Sequence, residues 1–323
     1  MKLLIDAPIN KGTRVFVRCD LDVPVENGVV KEAFRLDSSL PTLKYIIEKG
    51  GIPVIAGHMG KPDGKVDLNL STQQLVPYFN ENLGEGAYEI LENLRFNPGE
   101  EENSEEFSKE IASKAEIFVN ESFATCHRKH ASIVGITAFL PSFAGFNLQK
   151  EVEALTKVME NPEKPLALII GGIKLESKMP VIEKFFDKAD FIMLSSILSA
   201  NWSKEITHNM LLADNKDVES KDINENTRQK FIWAIEKSRT ILWAGPLGMY
   251  EDDQFIQGTK EIAEKIAEVT QKDGVYSVVG GGDTVAAINK LGLMDKFSFV
   301  STGGGAMLQF LAEGTLPGIE VLK

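Results

Sequence analysis

Nine short apolar runs, each ending in a polar or glycine turn, alternate along this 323-residue chain with amphipathic stretches. That alternation restricts the fold to parallel α/β sheets, because a strand buried on both faces must be covered by the crossover that follows it. The runs are 15–17, 52–56, 88–91, 117–119, 166–170, 191–194, 240–243, 275–279 and 297–300. The amphipathic stretches are 40–49, closed by Gly50-Gly51, then 105–114, 148–160, 181–188, 228–237 and 259–268. A boundary is expected at 141–150. It leaves four strand-turn units before it and five after it, and Asn161-Pro162-Glu163-Lys164-Pro165 ends the long charged helix that follows. Asn27-Gly28, between Val25 and Val29-Val30, reads as a hairpin loop added to the first strand. In such sheets ligands bind outside the carboxyl ends of the strands, and the polar turns stand at those ends.

The balance of 43% hydrophobic and 25% charged residues is that of a globular protein, and 323 residues suffice for two domains. A formal net charge of −12 argues against a nucleic-acid partner. No apolar run reaches the ~20 residues that span a membrane, and residues 1–6 are too short and too soon interrupted for a signal peptide. Cys19 and Cys126 read as free thiols of a reducing cytoplasm.

Two glycine triplets, Gly280-Gly281-Gly282 and Gly303-Gly304-Gly305, each stand between an apolar run and a helix-like run, 284–291 and 306–311. Glycine lets backbone approach a ligand closely, and the helix behind offers unpaired N–H groups to an anion. Two such turns suggest one polyphosphate held between them, with Asp283 and Thr284 supplying oxygens for metal and phosphate. Lys174 and Lys178, four apart after Gly171-Gly172, are expected on one face of a helix that begins at that turn, as a clamp for a transferring phosphoryl group. The N-terminal turns collect Asp20, Arg35, His58, Lys61, Arg95, His127, Arg128, Lys129 and His130. Each basic residue alone reads equally well as solvated surface charge. Together, at strand ends of an acidic protein, they point to a small polyanion. His127 and His130 lack the partners of a zinc site. Neither a Walker A loop nor a G-x-G-x-x-G turn in the first unit occurs.

Along nearly its whole length the chain resembles the phosphoglycerate kinase family, through VRCDLDVP, HMGKP, LENLRFNPGEE, VNESFATCHRKHAS, GGIKLESK, WAGPLGMYE, GGGDT and STGGGA in family order. The resemblance implies two doubly wound, Rossmann-like α/β domains with parallel sheets, joined by a hinge and a long helix. It implies a 3-phosphoglycerate-binding domain over 1–147, a nucleotide-binding domain over 148–313, and a tail, 314–323, that returns to the first. The reaction it implies is reversible phosphoryl transfer between 1,3-bisphosphoglycerate and Mg-ADP in glycolysis and gluconeogenesis, with Mg2+ as cofactor and ATP/ADP as co-substrate.

By the same resemblance Asp20, Leu21, Asp22, Arg35, His58, Met59, Gly60, Lys61, Arg95 and Arg128 bind the glycerate. Arg35, Lys174, Lys178, Gly303 and Gly304 act on the phosphoryl in flight. Lys174, Glu251, Gly281, Gly282, Asp283 and Thr284 hold the nucleotide, and Asp283 the metal. A cytoplasmic monomer is expected, with no nucleic-acid or membrane partner.

The chain departs from the family pattern at Asp22, where the family has Asn, at Lys61, where it has Arg, and at Ala244, where it has Asn. A glycine-rich adenine floor becomes Ser195-Ser196-Ile197. The chain is also short for the family between Leu83 and Tyr88 and around 201–214. These changes keep alive a rival reading, a non-catalytic binding protein on the same fold with a weakened nucleotide site. A nicotinamide-dependent oxidoreductase lacks its fingerprint.

Overall fold

The computed structural model describes every residue except Asn27, Lys216 and Val218. The chain divides into two compact units, Met1–Val152 with Thr315–Lys323, and Glu153–Gly314.

Unit 1 is built on β1 (Arg14–Arg18), β2 (Val25–Glu26), β3 (Val29–Val30), α1 (Phe34–Glu48), β4 (Ile52–Ala56), α2 (Val76–Leu83), β5 (Glu89–Ile90), α3 (Glu105–Ala112), β6 (Ile117–Asn120) and β7 (Ser142–Ala144). Its five-stranded sheet has the order β5-β4-β1-β6-β7, parallel throughout. The connection reverses direction between β1 and β6. That is the switch point at which ligands of such sheets bind. Val15, Val17, Ile55, Ile117 and Val119 make the strand layer of the core, against Leu36, Leu43, Ile46 and Phe79 of the helices. Ser104 caps α3 by accepting the Phe107 N–H, and Glu105 and Glu106 in the first turn suit its dipole. The C-terminal residues pack in this unit: the Lys2 N–H donates to the Leu322 carbonyl at 2.7 Å and the Gly318 N–H to Cys126 at 2.9 Å.

Unit 2 comprises most of α4 (Phe146–Glu160), then β8 (Leu166–Ile170), α5 (Met179–Phe185), β9 (Phe191–Leu194), α6 (Ser196–Ala200), β10 (Met210–Leu212), α7 (Glu225–Lys237), β11 (Thr240–Ala244), α8 (Gln257–Thr270), β12 (Tyr276–Gly280), α9 (Gly282–Lys290), β13 (Phe299–Val300) and α10 (Gly304–Glu313). Its parallel sheet runs β10-β9-β8-β11-β12-β13, with the switch between β8 and β11. In strand number along the chain this is 3-2-1-4-5-6, the dinucleotide-fold order. Ile169, Met193, Trp243 and Val279 pack against Phe231, Ile235, Ile262 and Ile266 of the helices.

The doubly wound α/β class is as expected, but the sheets have five and six strands rather than four and five. The additions, β7 and β10, are three residues each and lie at sheet edges, too short to show a periodicity of their own. β7 occupies part of the stretch read as an interdomain boundary. Among the described residues the hairpin strands β2 and β3 pair only with each other and do not extend the β1 sheet; Asn27 of the expected loop lies outside those residues. Among the described residues no helix is long and apolar enough to cross a membrane, and both cysteines are free and buried.

Candidate active site

In unit 1 the carboxyl ends of β1, β4 and β6 bring the predicted cations together. Asp20 and Asp22 follow β1. Arg35 opens α1 and donates through Nη1 to the Asp22 carbonyl at 3.0 Å, with its Nε 3.6 Å from Asp20 Oδ2. That Asp20 oxygen is buried without a hydrogen-bond partner. Burial raises the Asp20 pKa, against the pull of Arg35 and Arg18. Leu21 and Met59 turn their side chains into the core, so only their backbone can meet a ligand. The turn after β4 carries His58, Gly60 and Lys61. His58 is 5% exposed, and Lys61 is exposed. The Gly60 N–H donates to Asp22 Oδ1 at 2.8 Å, and the Gly60 carbonyl accepts from Arg95 Nη1 at 2.9 Å. Arg95 is 3% exposed, yet its Nη2 has no partner. Arg128 is half-buried, with its Nε 3.3 Å from His127 Nε2.

Burial, then Arg18, Arg95, Arg128 and His130 in turn, hold the His58 pKa well below the usual histidine range. Several positive charges therefore surround one neutral ring. A buried guanidinium edge without an acceptor and a neutral imidazole among cations make a cationic corner that could receive a small anion. No cluster of His, Cys, Asp or Glu that could hold a metal occurs among the described residues, His127 and His130 included.

In unit 2 the glycine turns lie side by side. A Cβ built on Gly304 would sit 3.1 Å from the Gly282 nitrogen, so any larger residue there would crowd the facing turn. The two helices they open, α9 and α10, have no side-chain cap. Such N-termini point unpaired N–H groups outward. Thr284 Oγ1 accepts the Gly245 N–H at 2.7 Å and ties this corner to the turn after β11. Gly171 packs against that turn too, its N–H donating to Ala244 at 2.9 Å. Lys178 is partly buried, and its amine is depressed by desolvation against the opposing pull of Asp283, which places the two charges near one another. Asp283 and Glu251 both lie within electrostatic reach of Tyr250, and both carboxylates are exposed. One exposed carboxylate beside two uncapped helix N-termini suits Mg2+, which takes few protein ligands and shares phosphate oxygens.

One expectation fails. Lys174 and Lys178 do not share a helical face: α5 starts at Met179, Lys178 is its cap residue, and Lys174 is exposed in the preceding turn. Pro180 explains the start. It has no N–H to donate, so it is best accommodated in the first turn, where that N–H would go unpaired; Pro41 inside α1 is the exception in this chain.

Sequence reasoning also passed over the residues that brace the site. Asn93 donates to the carbonyls of Met59 at 2.8 Å and Leu70 at 2.7 Å, and its Oδ1 accepts the Arg95 N–H. Arg18, Glu100 and Ser132 form a buried network beneath His58. A charged residue closing the apolar run 15–17 was the only available signal for Arg18.

The family model described as phosphoglycerate kinase matches residues 5–89, 78–209 and 194–314. The phosphoglycerate kinase of Thermus thermophilus is 35% identical over 393 aligned residues, covering all of both chains. That of Leptospira biflexa is 34% identical, covering all of this chain and 98% of its own. Among solved structures, phosphoglycerate kinase from Coxiella burnetii superposes with a TM-score of 0.82 at 31% identity, covering 99% of this chain and 98% of that one. The Pyrococcus horikoshii enzyme does so with 0.83 at 26% identity, covering 100% and 98%. With cations at the strand ends of one unit, paired glycine turns in the other, and full-length similarity to these proteins, the chain belongs to the phosphoglycerate kinase family.

Proposed function

We propose that this protein moves a phosphoryl group reversibly between 1,3-bisphosphoglycerate and Mg-ADP, giving 3-phosphoglycerate and ATP in glycolysis and gluconeogenesis. It is a phosphotransferase with a carboxyl group as acceptor. The observation that carries this reading is the contact of Gly304 with Gly282 between two uncapped helix N-termini, beside Lys178 and Asp283.

The substrate half of the site is Asp20, Asp22, Arg35, His58, Lys61, Arg95 and Arg128, with backbone from Leu21, Met59 and Gly60. The arginines offer planar forks to phosphate and carboxylate, and His58 donates as a neutral ring. Asp20 takes the glycerate hydroxyl. In the nucleotide half, Gly281, Gly282 and Thr284 receive phosphate, Lys174 neutralises it, and Glu251 meets the ribose. Asp283 would hold Mg2+, which when bound neutralises charge on the nucleotide phosphates. Arg35, Lys178 and the N–H groups of Gly303 and Gly304 stabilise the transferring group. No covalent enzyme intermediate is needed, since positioning and charge stabilisation supply the catalysis. The protein works as a cytoplasmic monomer on small molecules, with no nucleic-acid or membrane partner; two buried free thiols accord with a reducing compartment.

A coupled assay with 3-phosphoglycerate and Mg-ATP tests the proposal. Turnover that needs both substrates and magnesium supports it. Binding of either ligand without turnover would return the protein to the non-catalytic reading.

A further inference from the structure

Beneath the substrate socket runs a line of buried groups that the reaction scheme leaves unused. Glu100 is wholly buried. Its Oε1 accepts the Ser132 hydroxyl at 2.6 Å and its Oε2 accepts the Ser132 N–H at 3.0 Å. Ser132 Oγ accepts in turn from Arg18 Nε at 2.9 Å. Arg18 is also wholly buried; its Nη1 donates to the Cys19 carbonyl, and its Nη2 lies 3.0 Å from His58 Nδ1.

Each link has only one sense. A guanidinium has five N–H donors and no acceptor. His58 Nδ1 must therefore accept, which leaves it without a proton. The proton of the neutral ring then sits on Nε2. The serine hydroxyl gives its hydrogen to Glu100, which frees its lone pairs for Arg18. The buried carboxylate sets that direction and compensates the buried guanidinium through a single intervening atom.

We propose that Glu100 and Ser132, acting through Arg18, are positioning residues that hold His58 as the neutral Nε2–H tautomer, a fixed donor aimed at the anionic substrate. That the anion is 3-phosphoglycerate rests on the function proposed above; the tautomer does not. The charged and titratable groups facing the ring are Arg18 from β1, Arg95 from the turn after β5, and Arg128 and His130 from the segment after β6. All of them disfavour a second proton on His58. A neutral donor suits this place, because it gives up no proton to a substrate that carries charge of its own. His130 Nδ1 stands 3.7 Å from Glu100 Oε1, too far to take over the serine's role.

The test is two-bond 1H–15N correlation of the histidine rings in the ligand-free protein, with His58 assigned by loss of its signals in His58→Gln. From about pH 5.5 to about pH 8.5, spanning the ordinary histidine titration, the expected pattern is a protonated Nε2 and an unprotonated Nδ1, unchanged with pH. In Ser132→Ala, Arg18 Nε loses its acceptor and Glu100 Oε1 its hydroxyl donor, while Oε2 keeps the backbone N–H. The His58 signals should then show both tautomers, and KM for 3-phosphoglycerate should rise about tenfold, the effect of one misplaced hydrogen bond, with kcat little changed. A proton on Nδ1, or a doubly protonated ring at neutral pH, in the unaltered protein overturns the proposal, as does a Ser132→Ala protein with unaltered spectrum or KM. Should Ser132→Ala fail to fold, the spectrum of the unaltered protein decides. Because that spectrum is read without substrate, it stands even if the protein turns over no 3-phosphoglycerate.

Discussion

The Asp22 carboxylate accepts the Gly60 N–H at 2.8 Å, so a negative side chain braces the turn that carries His58 and Lys61. An asparagine oxygen could accept the same N–H without a charge beside the proposed anionic substrate. Asp22→Asn should therefore keep the fold and lower KM for 3-phosphoglycerate several-fold, since an exposed unit charge at short range is worth about 1 kcal/mol. Initial rates at low and high ionic strength check this, because the gain should shrink as salt screens it. A higher KM for Asp22→Asn would show that the carboxylate assists binding.

Arg35 and Lys178 are held in their own units, Arg35 by the Asp22 carbonyl and Lys178 near Asp283. If they meet charge that develops on the transferring oxygens, alanine at either position should cost about a hundredfold in kcat, roughly 3 kcal/mol of barrier. Turnover at saturating substrates is the measurement. Near-normal kcat in either variant removes that residue from the chemistry.

Weak discrimination between ATP and GTP is expected. The hydroxyl of Ser196, at the turn that would face the base under the proposed function, is already engaged by Asn215 Oδ1 at 3.0 Å and by the Asp222 carbonyl at 3.2 Å. Ala244, where an amide is expected in the family, is 1% exposed and offers no side-chain polar group. Phosphate contacts should then dominate affinity. Magnesium-nucleotide titrations should differ by well under a hundredfold, about 2.7 kcal/mol; a larger preference for ATP would mean that other residues read the base.

Glu121 makes folding pH-dependent. It is 1% exposed, and its Oε1 accepts the Asn147 N–H at the start of α4 at 2.9 Å, where Thr42 Oγ1 accepts the Phe146 N–H. Burial pushes its pKa up to about 8, outweighing those hydrogen bonds. The folded state thus binds a proton that the unfolded chain releases near pH 4.3. The stabilisation is complete below that value and is lost as pH rises toward 8. Denaturant unfolding across this range should show stability falling in the unaltered protein and a flatter profile in Glu121→Gln. Equal slopes would remove Glu121 as the cause.

Phosphoryl transfer requires reacting atoms to approach to about 3–3.5 Å. The proposed glycerate groups belong to one unit and the nucleotide turns to the other, and the chain passes between them within α4. Ligands that engage both units should therefore favour a closed state, and either alone should do so less. Solution scattering of the free protein, both binary complexes and the ternary complex reads this as radius of gyration. A ternary complex no more compact than the free protein would refute closure.

The sequence by itself determined the sheet class, nearly all the long helices and the glycine corner of unit 2. Those features are local: apolar runs, helical periodicity and the absence of a Cβ are properties of neighbouring residues. It was misleading at Lys174, where one proline outweighed an i, i+4 spacing, and nearly silent at the short edge strands β7 and β10, which exist only through their partners. Tertiary structure alone decided what lies beneath the proposed substrate site. Arg18 and Ser132 are 114 residues apart and meet only because β1 and the segment after β6 lie side by side. Asn93 likewise reaches back 34 residues to brace Met59. Burial and hydrogen-bond satisfaction are properties of packed neighbours rather than of chain order, so the groups that orient a site are written less plainly than those that touch its ligand.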